Sequence, residues 1–189
     1  MTEHRKSAES RENSIWVVLP CYNVGQHIQG VLKSMPPYIA GIVAVNDASQ
    51  DDTHALLQKM KSDPRLHIID NQINLGVGGS TKRGFEFAIS HGAEIVVKLD
   101  GDGQMDPSLI ADLVEPILDR RADYVKGNRF INTDQVLSMP KVRLLGNIAL
   151  SFFTKLSSGY WEIFDPNNGF VAISKKAFRL IPADKVDNR

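Results

Sequence analysis

Continuous apolar runs alternate along this chain with stretches in which apolar residues recur every three or four positions. The run Ile15, Trp16, Val17, Val18, Leu19 ends at Pro20. An unbroken apolar run of that length, closed by a turn residue, is the pattern of a strand buried on both faces. Ile42, Val43, Ala44 and Val45 form a second such run, and His67, Ile68 and Ile69 a third and weaker one. Residues 94–99 form a fourth. Between them, Ile28, Val31 and Leu32, then Leu56, Leu57 and Met60, sit at helical spacing. Asp106 and Pro107 open a further helix with Pro at its first position, and Leu109, Ile110, Leu113, Val114 and Ile117 form its apolar stripe. Strands alternating with helices predict βαβ crossovers, and so an α/β fold with a mostly parallel central sheet flanked by helices.

The rhythm changes after Phe130. Residues 141–156 read as a helix whose apolar positions, among them Leu144, Ile148, Phe152 and Leu156, cover more than one narrow stripe. Such a helix either packs on the sheet or lies near a membrane or a lipid. Residues 169–173 read as a returning strand and 175–180 as a short helix. Residues 1–13 are a polar lead-in without the apolar stretch of a signal peptide. Residues 14–189 read as one domain. The chain stops at Asp187, Asn188 and Arg189 without a closing element, which reads as a truncated C-terminal end.

Composition narrows the function classes. The 189 residues hold 22 Lys plus Arg and 22 Asp plus Glu, so the formal net charge is zero. That argues against a basic nucleic-acid binder. Hydrophobic residues make up 42% and charged ones 23%, a globular balance rather than a disordered one. A chain of this size buries roughly 70% of its extended surface, enough for a core. Cys21 is the single cysteine, so no internal disulfide and no cysteine-based metal cage can form. A reducing, cytoplasmic setting fits.

In open α/β sheets, ligands bind beyond the carboxyl ends of the strands. Two of those ends carry aspartate. The second strand runs into Asn46, Asp47, Ala48 and Ser49, followed by Asp51 and Asp52, and the fourth into Asp100, Gly101, Asp102, Gly103 and Gln104. The first ends in Pro20, Cys21, Tyr22 and Asn23. A lone Asp at a strand end is usually a turn residue or a helix cap, and Asp51 or Asp52 fits a cap. Asp100 and Asp102, separated by one glycine after a buried strand, suit a hard divalent cation such as Mg²⁺ or Mn²⁺, with Gln104 as a further oxygen donor. A polar glycine turn is the alternative. Residues 74–84 are glycine-rich but match neither a dinucleotide fingerprint nor a Walker loop. They read either as the entry to a helix whose amides face an anion, with Lys82 one turn in, or as a tight loop with solvated Lys82 and Arg83.

Taken in this order, from residue 15 to 181, these pieces resemble the family 2 glycosyltransferases of GT-A fold. The Asp100-Gly101-Asp102-Gly103-Gln104 segment narrows the likeness to their polyprenyl-phosphate branch. The resemblance implies a Rossmann-like single catalytic domain. It also implies that Pro20 and Tyr22 line the nucleotide base and that Asp47 holds base or ribose. Lys82 then stands where the family usually has Arg, and Asp100, Gly101 and Asp102 form its Asp-x-Asp motif, with Asp102 and Gln104 on the metal. Arg129 faces the phosphates, Arg143 the acceptor phosphate, and Asp165 lies beside the donor sugar. Val24, where the family often has Glu, and Met105-Asp106, in place of His-Pro, depart from the pattern.

The implied reaction is inverting transfer of a sugar from a UDP- or GDP-sugar, with Mg²⁺ or Mn²⁺, Lys82 and Arg129 meeting the leaving diphosphate. The implied acceptor is a lipid phosphate at the cytoplasmic face of a membrane. A hydroxyl acceptor needs a carboxylate base instead, either Asp165, the family-matched residue, or a carboxylate beyond Arg189. A sugar-1-phosphate nucleotidyltransferase and a non-catalytic nucleotide-sugar-binding domain are the other readings. The first calls for a basic glycine-rich loop directly after the first strand, where this chain has Pro20, Cys21, Tyr22 and Asn23.

Overall fold

The structure, a computed structural model, describes residues 15–127, 156 and 168–182. The chain divides into two compact units, residues 1–125 with 170–189, and residues 126–169. The first unit carries a six-stranded sheet. Its strands are β1 (Ile15–Cys21), β2 (Gly41–Asn46), β3 (Leu66–Asp70), β4 (Ile95–Lys98), β5 (Tyr124–Lys126) and β6 (Val171–Ser174). Its helices are α1 (Ile28–Lys33), α2 (Thr53–Lys59), α3 (Gly76–Ser90), α4 (Ile110–Leu118) and α5 (Lys175–Phe178).

The sheet order is β3-β2-β1-β4-β6-β5. β1 pairs in parallel with β2 and β4, and β2 with β3. The four apolar runs of the sequence are thus the four parallel strands. The weak third run is the edge strand, half-buried along most of its length. The returning strand begins two residues later than its sequence suggested and pairs antiparallel with β4, Val171 opposite Lys98 and Ser174 opposite Ile95.

Side chains alternate between two apolar layers, as the strand period of two requires. Ile15, Val17 and Leu19 face Ile28, Leu32, Leu57, Ile110 and Val114 of α1, α2 and α4. Trp16 and Val18 face Phe85 and Ala88 of α3. α3 lies close to β1, because a Cβ at Gly84 would stand 2.3 Å from Val18 Cγ1. Only glycine permits that approach, since inserting a carbon into a packed layer strains it.

Asp106 does open a helical segment. Its side chain accepts from Ser108 N–H with Pro107 following, but the first turn is a 3₁₀ turn (Pro107–Leu109) and the α-helix starts at Ile110. The tighter turn carries Leu109 off the stripe and leaves it exposed, while Ile110, Leu113, Val114 and Ile117 are buried. Most of the helix expected over residues 141–156 lies outside the described residues.

Candidate active site

The chain runs β1 to β2 to β3 outward in one direction, then returns to place β4 on the other side of β1. The point where the order reverses leaves a crevice at the strands' carboxyl ends, because successive crossovers depart to opposite sides there. Pro20 and Tyr22 at the end of β1, Asp47 after β2, and Asp100, Gly101 and Asp102 after β4 line one cleft of about 440 Å³ at this point. These residues come from three strand ends far apart in sequence. The sheet topology alone brings them together.

Asp47 is buried, and its Oδ1 accepts from Asn71 Nδ2 at 2.7 Å and from Leu75 N–H at 2.8 Å. Leu75 is the residue before α3, so Asp47 holds the start of that helix from outside. Asn71 Nδ2 also donates to Ser80 Oγ at 3.0 Å, and Asn71 Oδ1 accepts from Arg83 Nη1. Arg83 donates further to the Asp70 carbonyl at 3.2 Å. The glycine-rich segment is therefore the opening of α3, which starts at Gly76 and continues through Gly84, not a separate loop, and the exposed Arg83 ties it to β3. Asn71 and Ser80, both buried, had no motif to announce them.

The Asp100-Gly101-Asp102 turn sits directly on the end of β1. A Cβ at Gly101 would lie 3.3 Å from Cys21 Sγ and from Val24 Cγ2, and 3.4 Å from the Pro20 carbonyl oxygen. Asp100 Oδ1 pairs with Lys98 Nζ at 2.5 Å, and Asp102 Oδ1 accepts from Gln104 N–H at 3.0 Å. Lys98 went unremarked in the sequence because it sits inside an apolar strand. Cys21 is fully buried and its Sγ–H donates to the Leu19 carbonyl. Burial, and then the nearby Asp100 charge, push its thiol well above the ordinary range, so it stays a neutral thiol and no nucleophile.

Asp51 has a different job. Its carboxylate accepts from Gly25 N–H at 2.9 Å and from Thr53 N–H at 3.0 Å, joining the loops after β1 and β2. Partial burial pulls its pKa upward, but the hydrogen bonds from Thr53 and Gly25 together hold it below the usual carboxylate value. It is a loop staple, not a cleft residue. Ala48, the residue after Asp47, has φ +56°, a left-handed conformation rarely adopted by a residue with a Cβ.

Lys82 does not line the cleft. It lines an adjoining apolar groove. Gln104 reaches Asp102 through its backbone N–H. Arg129, Arg143 and Asp165 lie outside the described residues. Among the described residues no group of three or more His, Cys, Asp or Glu side chains is placed to hold a metal. Two carboxylates in a cleft nevertheless fit Mg²⁺ or Mn²⁺, because Mg²⁺ in particular is commonly held by one or two carboxylates and completed by substrate phosphates and water.

The Glycosyl transferase family 2 model matches residues 16–181. The chain belongs to that family. It is 31% identical over 181 residues to a UDP-N-acetylglucosamine–dolichyl-phosphate N-acetylglucosaminyltransferase of Methanococcus voltae, covering 88% of this chain and 72% of that one. It is 26% identical to a polyprenol monophosphomannose synthase of Mycolicibacterium smegmatis, covering 92% of this chain and 66% of the relative. In fold it is similar to glucosyl-3-phosphoglycerate synthase of Mycobacterium tuberculosis, solved in complex with uridine diphosphate. The TM-score is 0.65 at 21% identity, over 93% of this chain and 62% of that structure's chain.

Proposed function

We propose that this glycosyltransferase moves a sugar, with inversion, from a nucleoside diphosphate sugar to a polyprenyl phosphate at the cytoplasmic face of a membrane. One observation carries the reading: Asp47, Asp100 and Asp102 line a single cleft at the switch point of the sheet. The names of the curated relatives support the lipid phosphate acceptor. A solved structure of the same fold that holds Mn²⁺ with UDP supports the diphosphate and the cation.

In this reading the Asp47 carboxylate, with Oδ1 committed to Asn71 and Leu75, offers Oδ2 to the ribose or base, and Pro20 and Tyr22 flank the base. Asp100 and Asp102 hold the divalent cation, with Gln104 as a further ligand. A bound cation supplies neutralisation of the charge that develops on the leaving diphosphate. Arg129 adds charge there and Arg143 meets the acceptor phosphate. A phosphate oxygen of the acceptor attacks the anomeric carbon, and the bond from that carbon to the diphosphate oxygen breaks on the opposite face. The attacking oxygen is already anionic at neutral pH, so the step needs no general base. Asp165 then positions the donor sugar.

The test is a thermal-shift and calorimetric screen of UDP, GDP and their sugars with Mn²⁺ and with chelator. A ligand bound only by the native state raises its apparent stability. The cation should tighten nucleotide binding, because two carboxylates repel a diphosphate unless a cation intervenes. Asp102→Asn should remove most of the difference. Equal affinity with and without the cation refutes the cation site, and transfer only to a sugar hydroxyl refutes the lipid phosphate.

A further inference from the structure

A second concavity, of about 340 Å³, opens beside the cleft. One wall is a stripe of α3 from Val77 to Phe85, over which the helix rises about 12 Å. The opposite wall comes from Ile173 of β6, Phe178 of α5 and Ile181 beyond it. Val77 lines both cleft and groove, so the two adjoin there.

The groove has a direction. Because β6 runs antiparallel to β4, Lys98 pairs with Val171 at the cleft end and Ile95 with Ser174 at the other. α5 follows Ser174, and its Phe178 meets Phe85 at 5.6 Å between ring centres, well down α3. Lys98, whose Nζ touches Asp100, is therefore at the cleft end, and the phenyl rings are at the far end. Lys82 lines the groove between them, with Glu86 one turn below it. A ligand matching this gradient carries its anion at the cleft and an apolar chain away from it.

We infer that the groove seats the first isoprenoid units of the acceptor lipid, with its phosphate toward the cleft. This rests on the lipid phosphate reading proposed above. Three features select this occupant over a protein segment: the adjacency to the cleft at Val77, Lys98 at the end nearest it with Lys82 further along, and the apolar walls beyond. The hydrophobic burial of the chain adds affinity that the phosphate alone cannot supply.

Calorimetric titration of the full chain with farnesyl phosphate, farnesol and inorganic phosphate tests the assignment. Ile181→Glu and Tyr124→Glu are suitable variants, because Ile181 is 41% exposed and Tyr124, also on the groove, 52% exposed, so neither empties the core. The wild type should bind farnesyl phosphate at least tenfold more tightly than either inorganic phosphate or farnesol. Each variant should lose most of that advantage while binding UDP and inorganic phosphate as before. Variants that bind farnesyl phosphate like the wild type overturn the groove and leave the lipid phosphate acceptor standing. Absence of farnesyl phosphate binding to the wild type, alongside transfer to a sugar hydroxyl, overturns both. A concentration-dependent dimer in sedimentation that Ile181→Glu abolishes overturns the groove in favour of contact between two copies.

Discussion

Asp47 is asked to do two things, and two substitutions separate them. Asp47→Ala removes the acceptor for Asn71 Nδ2 at 2.7 Å and for Leu75 N–H at 2.8 Å. Asn71 Nδ2 keeps its bond to Ser80, but the Leu75 N–H loses its acceptor at the start of α3. A buried donor left without a partner costs roughly 1–3 kcal/mol, and bonds to a charged acceptor are at the stronger end. Asp47→Ala should therefore lower unfolding stability by roughly 2–4 kcal/mol. Asp47→Asn keeps a carbonyl oxygen for both donors and is expected to cost less than about 1 kcal/mol. At the other oxygen it places an amide donor in the cleft, where ribose or base needs an acceptor. Nucleotide binding should weaken by roughly 1–3 kcal/mol, or about fivefold to about 150-fold. Urea unfolding of both variants measures the first effect, and calorimetry with UDP and GDP in the presence of chelator measures the second. Full nucleotide affinity in a folded Asp47→Asn would show that Asp47 only anchors α3. Undiminished stability in Asp47→Ala would refute the network argument itself.

Two further predictions concern the scaffold. Ala48 holds φ +56°, where a Cβ is penalised by roughly 1–2 kcal/mol; after the extra entropy of glycine in the unfolded chain is subtracted, Ala48→Gly should stabilise by about 0.5–1 kcal/mol, and a lower urea midpoint would contradict the strain. His67 stacks on Trp16 at 5.3 Å, and burial, then the charge of His91, lower its pKa from 6.5. Its contribution is thus fully present above pH 6.5 and is lost as pH falls through the lowered folded value. Urea midpoints should drop below pH 6.5 in the wild type and drop less in His67→Phe, and parallel profiles would refute it.

The strand and helix alternation was legible because burial on both faces leaves uninterrupted apolar runs, and burial on one helix face leaves every third or fourth position apolar. Those are properties of near neighbours in sequence. The strand-end positions of Asp47, Asp100 and Asp102 followed from the same runs, and the family resemblance followed from the order of the pieces. The sequence could not show that Asn71 and Leu75 both bind Asp47, because they lie 24 and 28 residues away and meet it only once β2 and β3 are in register. It left residues 74–84 open between loop and helix, since four glycines weaken the helical pattern. Packing decided the matter: Gly84 lets α3 approach Val18, and Asp47 holds its start. The exposure of Leu109 and the direction of the groove likewise depend on a 3₁₀ turn and on a strand that returns antiparallel to β4. Local periodicity determined which residues are buried and where strands end. Tertiary packing determined which of those ends face one another, because that depends on the order in which strands join the sheet.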